Sequence, residues 1–323
     1  SDILVNSFDN IYYEKNGRQY SSDIVFRSEK HLRNLIEKIV AAVGRRIDES
    51  TPLVDARMPD GSRINAAIPP VAVDGPMLAI RRFRFIRAED LVAQGSVTQE
   101  QLDLLARFVR SRLNIIISGG TGTGKTTLLN ILSQYIPAQE RVVTIEEVTE
   151  LNFQQYIGKL GKKPNLIRLE ARNPNVEGRG EIDLRTLVAN ALRMRPDRII
   201  VGECRRGEAF DMLQAMNTGH EGSMTTLHAN TPQDALYRLE NMILMAGYDL
   251  PVHVIRDYIY SAIHVIIHLT RLRDGQRVIT NISEIELEGS RIHTVDLFAR
   301  KDGVLVEVNE PSPKLRALLE VER

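Results

Sequence analysis

Eight residues in the middle of the chain, GGTGTGKT at 119–126, have the types and the spacing of a phosphate-binding loop. Glycine lets a backbone wrap closely around phosphate oxygens with successive N–H groups pointing inward, and the pattern Gly-x-x-x-x-Gly-Lys-Thr adds one cation. In such a P-loop the lysine reaches the β- and γ-phosphates and the next hydroxyl ligates Mg²⁺. We therefore predict a site for ATP or ADP with Mg²⁺, built on Gly119, Gly124, Lys125 and Thr126.

Hydrolysis also needs carboxylates near the γ-phosphate, and candidates stand at the ends of two predicted strands. Glu203 closes DRIIVGE, a Walker-B-like strand with glycine where many P-loop enzymes have aspartate, while Glu146 and Glu147 close VVTIEE. Carboxyl ends of parallel strands gather on the side of a sheet that carries the P-loop, so we expect these acids in the site. The alternative is that each is a solvated strand-end acid.

Two histidines and two groups of arginines are further candidates. His220 and His228 lie eight residues apart in GHEGSMTTLHA, a spacing that does not favour zinc because no cysteine joins them. A lone histidine is more often a structural residue, and the alternative is that the strand MTTLHA presents one histidine to the nucleotide as a γ-phosphate sensor. The arginines form either solvated faces or an arginine finger, which neutralises transition-state charge. They are Arg81, Arg82 and Arg84, then Arg193, Arg195, Arg205 and Arg206. Cys204 reads as a small hydrophobic residue.

The elements around these residues predict an α/β domain. Short apolar runs, NIIIS, RVVTIE, NLIRLEA, RIIVGE and MTTLHA, are typical of strands buried on both faces of a sheet. DLRTLVANALRM and EAFDMLQAM read as helices between them, so we expect a mainly parallel sheet flanked by helices. A helix with Thr98 and Gln101 as capping box precedes the first strand, and another spans about 126–136. Residues 231–263 read as two more helices, and the tail from about 264 as strands.

Residues 1–88 predict a smaller α+β domain, joined by a linker at 89–96 to the domain at 97–323. DILVNSFDNIYYEKNGRQY predicts two strands around a turn at Asn16-Gly17. SEKHLRNLIEKIVAAVG predicts an amphipathic helix with Ser28 as N-cap and Gly44 at its end. Strands then follow in LVDARMPDGSRINAAIPP and MLAIRRF.

Composition bounds the class of protein. The chain has 323 residues, and its 42 Lys and Arg balance 42 Asp and Glu, which argues against wholesale binding to nucleic acid or to a membrane surface. One cysteine forms no internal disulfide, so a reducing cytosol is expected. No apolar run approaches the roughly 20 residues of a spanning helix. Because the chain begins at Ser1 rather than at methionine, we expect the native N-terminus to lie upstream.

Taken together, the motifs resemble those of the CpaF-type ATPases of pilus assembly and secretion, relatives of GspE and PilT in the type II/IV secretion superfamily. The resemblance runs from residue 1 to about 285 and is carried by PLVDARMPDGSRINAAIPP, LAIRRF, GGTGTGKTTLLN, LRMRPDRIIVGE and AMNTGHEGSMTTLHANTPQDALYRLE. It implies a RecA-like ATPase domain with a smaller N-terminal domain, assembled as a homohexamer that binds ATP between the two domains. It also implies a cytoplasmic motor, peripheral to the inner membrane, that docks on pilus or secretion platform proteins and binds no nucleic acid.

The resemblance also assigns residues to roles. Gly122, Thr123 and Thr127 join the nucleotide-binding loop, and Glu203 matches the Walker B acid, which holds Mg²⁺ through water. Glu146 matches the first acid of the "Asp box", which activates water. His220 and His228 match the "His box", of which His220 is expected at the nucleotide and His228 in catalysis. Arg81 and Arg82 match N-domain arginines that act on a neighbouring subunit, with Arg57 as a weaker candidate.

Three departures from the family pattern keep alternatives open. The Asp box usually reads Ile-Glu-Asp, but here Glu147 follows Ile145 and Glu146, and Arg206 stands where glycine is common. GKLGKKPN at 158–165 reads as an insertion that lengthens a surface loop. A nucleotide-gated scaffold with little hydrolysis therefore stays a rival, kept open by Glu147, as does a RecA-like nucleic-acid translocase. Which of Glu146 and Glu203 is the base is not settled by sequence.

Overall fold

The computed structural model describes residues 2–15, 18–82, 86–153, 164–172, 174 and 179–320. The turn predicted at Asn16-Gly17, the arginine at 84 and most of the expected insertion lie outside the described residues. The chain forms two compact units, the first comprising Ser1–Phe85 with Arg273–Gln276 and the second Ile86–Leu272 with Arg277–Arg323. In the described part of the chain, none of the helices has both the length and the apolar character needed to cross a bilayer.

The first unit is a six-stranded antiparallel sheet with one helix on one face. Its elements are β1 (Asp2–Val5), β2 (Ile11–Lys15), β3 (Arg18–Ser21), α1 (Glu29–Ala42), β4 (Leu53–Arg57), β5 (Arg63–Ala67) and β6 (Met77–Arg81), in sheet order β3-β2-β1-β6-β5-β4. Ser28 caps α1 by accepting a hydrogen bond from the backbone N–H of His31, as predicted. Leu32, Ile36 and Val40 lie on one stripe of α1 and pack on the sheet.

The second unit is a nine-stranded sheet in which strands alternate with helices along the chain from β7 to β12, as expected for an α/β fold. Its elements, in chain order, are α2 (Ala88–Ala93), α3 (Gln99–Arg110), β7 (Ile115–Gly119), α4 (Lys125–Ser133), β8 (Val142–Glu146), β9 (Leu166–Glu170), α5 (Leu184–Ala191), β10 (Arg198–Cys204), α6 (Glu208–Asn217), β11 (Met224–His228), α7 (Pro232–Met245), α8 (Val252–Ala262), β12 (Val265–Arg271), β13 (Arg277–Glu288), β14 (Arg291–Lys301), β15 (Val304–Glu307) and α9 (Pro313–Glu320).

Parallel pairing brings the carboxyl ends of the central strands to one edge of this sheet. The strand order is β15-β14-β13-β12-β7-β11-β10-β8-β9, parallel from β12 to β9 and antiparallel from β12 to β15. The register places His228 of β11 and Leu269 of β12 on either side of Gly119 of β7. We call this the carboxyl edge, and the opposite side of the same sheet the amino edge.

Most predicted elements are confirmed, and the exceptions are short. The five apolar runs are β7 to β11, and the capping box of Thr98 and Gln101 starts α3. The N-terminal segment forms three strands rather than two, because a turn at 6–10 divides it. The C-terminal tail is not strands alone, since it ends in α9 with Leu315 and Leu319 buried. Most of the stretch predicted as a linker forms α2.

Candidate nucleotide site

The loop between β7 and α4 has the backbone that its glycines predict. Gly122 and Gly124 have φ of +71° and +99°, values that side chains other than glycine rarely adopt. At Gly119 a Cβ atom would lie 2.4 Å from the carbonyl oxygen of Leu269 and 2.7 Å from Oγ1 of Thr123. The neighbouring strand therefore leaves room for hydrogen alone at this position. The loop delivers the chain into α4, whose N-terminus faces the carboxyl edge and favours an anion.

Lys125 lies in the first turn of α4, and its ammonium group is held inside the loop. Nζ donates to the carbonyl oxygens of Gly119 at 3.0 Å and Gly120 at 2.8 Å, and burial lowers the pKa of the lysine. An ammonium group has three donors, so one remains for a phosphate oxygen. Thr123 braces the loop by donating its hydroxyl to the same Gly120 carbonyl at 3.0 Å. The cation is thus placed before any phosphate arrives.

Glu203 stands close to this lysine, at the carboxyl edge of β10. Its charge works against the lowering of the Lys125 pKa, and its Oε1 lies 2.8 Å from Nε2 of His228. The His228 contact has ion-pair distance but not the alignment of a hydrogen bond. Burial, and then the charge of Lys125, lower the pKa of His228. A neutral imidazole beside an acid and a lysine suits a residue that responds to added phosphate charge.

Glu146 is the most deeply buried acid of the carboxyl edge, with 4% of its surface exposed. Its Oε2 accepts backbone hydrogen bonds from Glu150 at 2.6 Å and Leu151 at 2.8 Å, whereas Oε1 is buried and has no partner among the described residues. Burial raises its pKa to about 7, and the two backbone donors only partly oppose that shift. Such a carboxyl can exchange a proton near neutral pH, as a general base must.

Gly202 explains the departure from the usual Walker B strand. A Cβ at this position would lie 2.9 Å from Cγ of Glu146, a distance that real Cβ contacts do not reach. Gly202 is therefore the space in which the Glu146 side chain lies. An aspartate at the same position would displace it.

The sequence did not single out a buried pair beneath the P-loop. His268 of β12 lies beside Ser118 of β7, with its Nδ1 2.8 Å from the serine hydroxyl, and burial lowers its pKa. The signal was present as a histidine inside the apolar run VIIHLT, because a buried polar side chain needs a partner. The pair fixes the strand end from which the loop departs.

His220 lies at the opposite end of its strand from the P-loop, and Cys204, next to Glu203, is buried in the core. His220 precedes β11, and its Nδ1 lies 3.3 Å from the carbonyl oxygen of Ala215. It therefore stands at the amino edge, so the structure does not bring it to the P-loop of its own unit. Cys204 is fully buried beside Thr225, and burial raises its pKa to about 12. Its thiol stays protonated and packs in the core.

Three arginines of the first unit lie in register on adjacent strands. Arg57 faces Arg63 across β4 and β5, and Arg63 faces Arg81 across β5 and β6. Residues opposite one another share one face of a sheet. Asp2 continues the row, 3.5 Å from Nε of Arg81. Arg82 is exposed and helps to lower the pKa of Asp60, a shift caused first by the Ser62 backbone hydrogen bond.

The oxygen donors at the carboxyl edge are of the kind that suits magnesium. No group of three or more His, Cys, Asp or Glu side chains forms a metal site within the residues that the structure describes. Thr126 in the first turn of α4 and Glu203 supply a hydroxyl and a carboxylate. Mg²⁺ prefers such hard oxygens, keeps several waters and takes the rest of its ligands from phosphate. Bound there, it would neutralise phosphate charge.

Comparison with known proteins is consistent with this geometry. A family model described as type II/IV secretion system protein matches residues 1–318. A putative conjugal transfer protein of Mycobacterium tuberculosis is 35% identical over 312 residues, covering 94% of this chain and 86% of that protein.

Two solved structures are similar in fold. The VirB11 ATPase of the Brucella suis type IV secretion system, in complex with sulphate, has a TM-score of 0.50 and 29% identity, covering 88% of this chain and 91% of that one. The pilus retraction motor PilT with bound ADP has a TM-score of 0.62 and 20% identity, covering 99% and 82%. At that identity the likeness to PilT concerns the fold alone.

Proposed function

This chain belongs to the type II/IV secretion system protein family and is an ATPase, and we propose that it works as a hexameric, Mg²⁺-dependent motor. It hydrolyses ATP to ADP and phosphate and converts that reaction into movement of a secretion or pilus machine. Within that class we assign it to assembly or retraction of a Tad-type pilus, or to protein secretion, at the inner membrane.

One observation carries the proposal: a single sheet edge holds a lysine, an accessible acid and a buried acid, each at the end of a different strand or helix. Lys125 begins α4, Glu203 lies in β10, and Glu146 ends β8. A site that only binds nucleotide needs the first of these but has no use for a buried carboxyl with a free oxygen. Hydrolysis needs a group that takes a proton from water.

Each residue of the site has a proposed role. Lys125 neutralises the β- and γ-phosphates. Thr126 holds Mg²⁺ directly, and Glu203 holds it through water. Oε1 of Glu146 accepts a proton from the attacking water, which its raised pKa favours. His228, in contact with Glu203, senses the γ-phosphate, while Gly119, Gly122, Thr123, Gly124 and Thr127 cradle the phosphates. His220 stays a prediction for nucleotide binding.

We assign Arg81 and Arg82 to the site of a neighbouring subunit. An arginine finger stabilises charge that develops on the transferred phosphoryl group and can be supplied in trans. Support comes from the exposure of both side chains: Arg81 ends β6 with its side chain 70% exposed, and Arg82 follows it at the surface. We propose the homohexamer that the family resemblance implies, because a closed ring gives every site such a neighbour.

The partners and the place of action are proposed from the relatives. The VirB11 protein belongs to a type IV secretion system, and the M. tuberculosis relative is named for conjugal transfer. We infer that this chain acts in the cytoplasm and docks on inner-membrane platform proteins of a pilus or secretion system. The balanced charge of the chain gives no support to nucleic acid as its substrate.

Mg²⁺-ATP turnover by mixed subunits tests the motor directly. Lys125→Ala removes the nucleotide site but keeps the arginines, and Arg81→Ala/Arg82→Ala keeps the site but removes the arginines. If the arginines act in trans, two nearly inactive preparations regain turnover when mixed and re-equilibrated. Specific activity of the native protein is expected to rise with protein concentration, and EDTA is expected to abolish it.

The same measurements separate the alternatives. Mixing that restores nothing, with both variants properly folded, contradicts the trans assignment and leaves a subunit that works alone. Turnover of the native protein at the Lys125→Ala level, with tight ATP binding, contradicts the motor and favours the nucleotide-gated scaffold. Turnover that rises with single-stranded DNA and falls steeply with salt favours the translocase.

A further inference from the structure

Glu147 and Arg205 have no part in the roles assigned above, yet the structure joins both to the site. Nη2 of Arg205 lies 2.6 Å from Oε2 of Glu203, and Nη1 of the same guanidinium lies 2.8 Å from Oε2 of Glu147. One arginine therefore bridges the acid of β10 and the second acid of the Glu146-Glu147 pair. The bridge ends at the carboxylate that faces Lys125.

We propose that Arg205 is a positioning residue for the Glu203 carboxylate and that Glu147 sets the orientation of Arg205. The inference rests on the proposed function, in which Glu203 holds Mg²⁺ through water. It assigns a physical role to Glu147, at the position where the sequence departs from Ile-Glu-Asp.

The shape of the guanidinium group supports this assignment. Its N–H groups form a rigid planar fork, so a contact at each of two ends fixes both the position and the rotation of the plane. Because different carboxylates hold Nη1 and Nη2, Arg205 cannot turn about its Cζ without breaking one contact. A lysine would offer one point charge and no such constraint.

The backbone of Arg205 is anchored independently of its side chain. The N–H groups of Arg205 and Arg206 both donate to Oε1 of Glu208, a buried acid in the first turn of α6. The chain path from β10 into α6 is therefore held by Glu208. Glu147 therefore orients only the side chain of Arg205. Removing the Glu147 carboxylate should leave the fold intact.

Magnitudes distinguish a positioning role from a stabilising one. The side chains of Arg205 and Glu147 are 53% and 52% exposed, and exposed ion pairs change an unfolding equilibrium only about two- to fivefold. Displacing a group at a reacting centre by about 1 Å, in contrast, costs up to about a hundredfold in rate. Positioning therefore predicts a large effect on kcat beside a small effect on stability.

The experiment compares steady-state Mg²⁺-ATP hydrolysis of Arg205→Gln, Arg205→Lys, Glu147→Gln and Glu147→Asp. We expect Arg205→Gln to lower kcat by up to about a hundredfold and Glu147→Gln by about fivefold, with KM unchanged in both. Arg205→Lys keeps the charge but not the fork and recovers little, whereas Glu147→Asp keeps the charge and recovers part of the loss. Arg206→Gln, at the exposed neighbouring arginine, is the matched control and keeps wild-type kcat.

A double-mutant cycle tests whether Glu147 acts through Arg205. If it does, Glu147→Gln lowers kcat in the wild-type background and changes nothing in the Arg205→Gln background. Urea unfolding of the same variants without nucleotide gives the second readout, in which the two changes are expected to be coupled and about fivefold at most.

Two results overturn the inference. Effects on kcat that multiply in the double variant show that Glu147 and Arg205 act separately. A raised KM with unchanged kcat in Arg205→Gln shows that the guanidinium binds nucleotide and does not hold Glu203. Failure of the proposed function gives a different result: native protein and Lys125→Ala then hydrolyse ATP at the same rate. In that case the urea-unfolding cycle still shows whether the contact between Glu147 and Arg205 exists.

Discussion

The two edges of the same sheet each bury a charged side chain, but they complete it differently. At the amino edge Arg198 is fully buried, forms two contacts with the carboxylate of Glu140, and donates to the carbonyl oxygens of Val109 and Gly222. At the carboxyl edge Glu146 is nearly as buried, yet one of its oxygens has no partner among the described residues. The charge of Arg198 is therefore paired within the fold, whereas Glu146 keeps an oxygen that can react.

This difference separates structural from chemical use of burial. A buried arginine whose three nitrogens all donate to a carboxylate or to backbone carbonyls holds the chain together, and its charge is already paired within the fold. A buried carboxyl with an unpaired oxygen and a pKa raised to about 7 costs stability and can react. Both edges also make room with glycine: a Cβ on Gly222 would lie 2.5 Å from the Arg198 guanidinium, and one on Gly202 2.9 Å from Glu146.

The largest effect is expected from Glu146→Gln, which removes the reactive oxygen at the carboxyl edge. Loss of a general base lowers kcat by about 10²- to 10⁴-fold. Stability should not fall, because the amide cannot ionise in its buried position. Phosphate release and urea unfolding measure the two. Wild-type turnover in this variant would show that Glu146 is not the base and would transfer that role to Glu203.

Arg198→Ala is the corresponding change at the amino edge. It leaves Glu140 and two backbone carbonyls without their cation, and we expect it to lower the free energy of unfolding by about 3–5 kcal/mol. Folded protein at low temperature should keep its affinity for ATP, because no P-loop residue is touched. Loss of nucleotide binding at unchanged stability would contradict the division between the edges.

The pH dependence of stability sharpens the same contrast. The pKa of Glu146 rises from 4.5 to about 7 on folding, so between these values the folded chain holds a proton that the unfolded chain has lost. Its contribution is fully present below pH 4.5 and is lost as pH rises to about 7, a change of about 3 kcal/mol. Unfolding free energies of the wild type and Glu146→Gln should therefore diverge across this window.

Turnover is expected to change with protonation of Glu146 in the opposite direction from stability: it rises as pH increases. The carboxylate form accepts the proton of water, so kcat should rise as pH increases through about 7. A flat kcat over this range, with the stability difference present, would show that Glu146 titrates but is not the base.

The sequence predicts local features of this site well and cross-strand features poorly. The P-loop and strands β7 to β11 follow from residue types and spacing within a few positions, and parallel pairing then places Glu146 and Glu203 at one edge. The Ser118–His268 pair depends on the register of strands 150 residues apart in the chain, which no local pattern carries. The short helix α9 has too few turns for a clear apolar period.

The role of Gly202 also depends on a contact between strands that no local sequence pattern predicts. Gly202→Ala is the change from which we expect the smallest effect. Alanine there adds one methyl group against Cγ of Glu146 in backbone that other residues adopt freely, so we expect a stability loss of about 1–3 kcal/mol from overpacking. Because the methyl group displaces the base, kcat should fall about tenfold or more.

Gly222→Ala is the matched control for this change, since it crowds the Arg198 guanidinium at the other edge instead. It should cost more stability than Gly202→Ala, because φ at Gly222 is +81°. Its folded fraction should nevertheless hydrolyse ATP at the wild-type rate. If the two alanines lower kcat per folded molecule equally, the amino edge is part of the catalytic machinery, and the contrast between a charge used by the fold and a charge kept for chemistry does not hold.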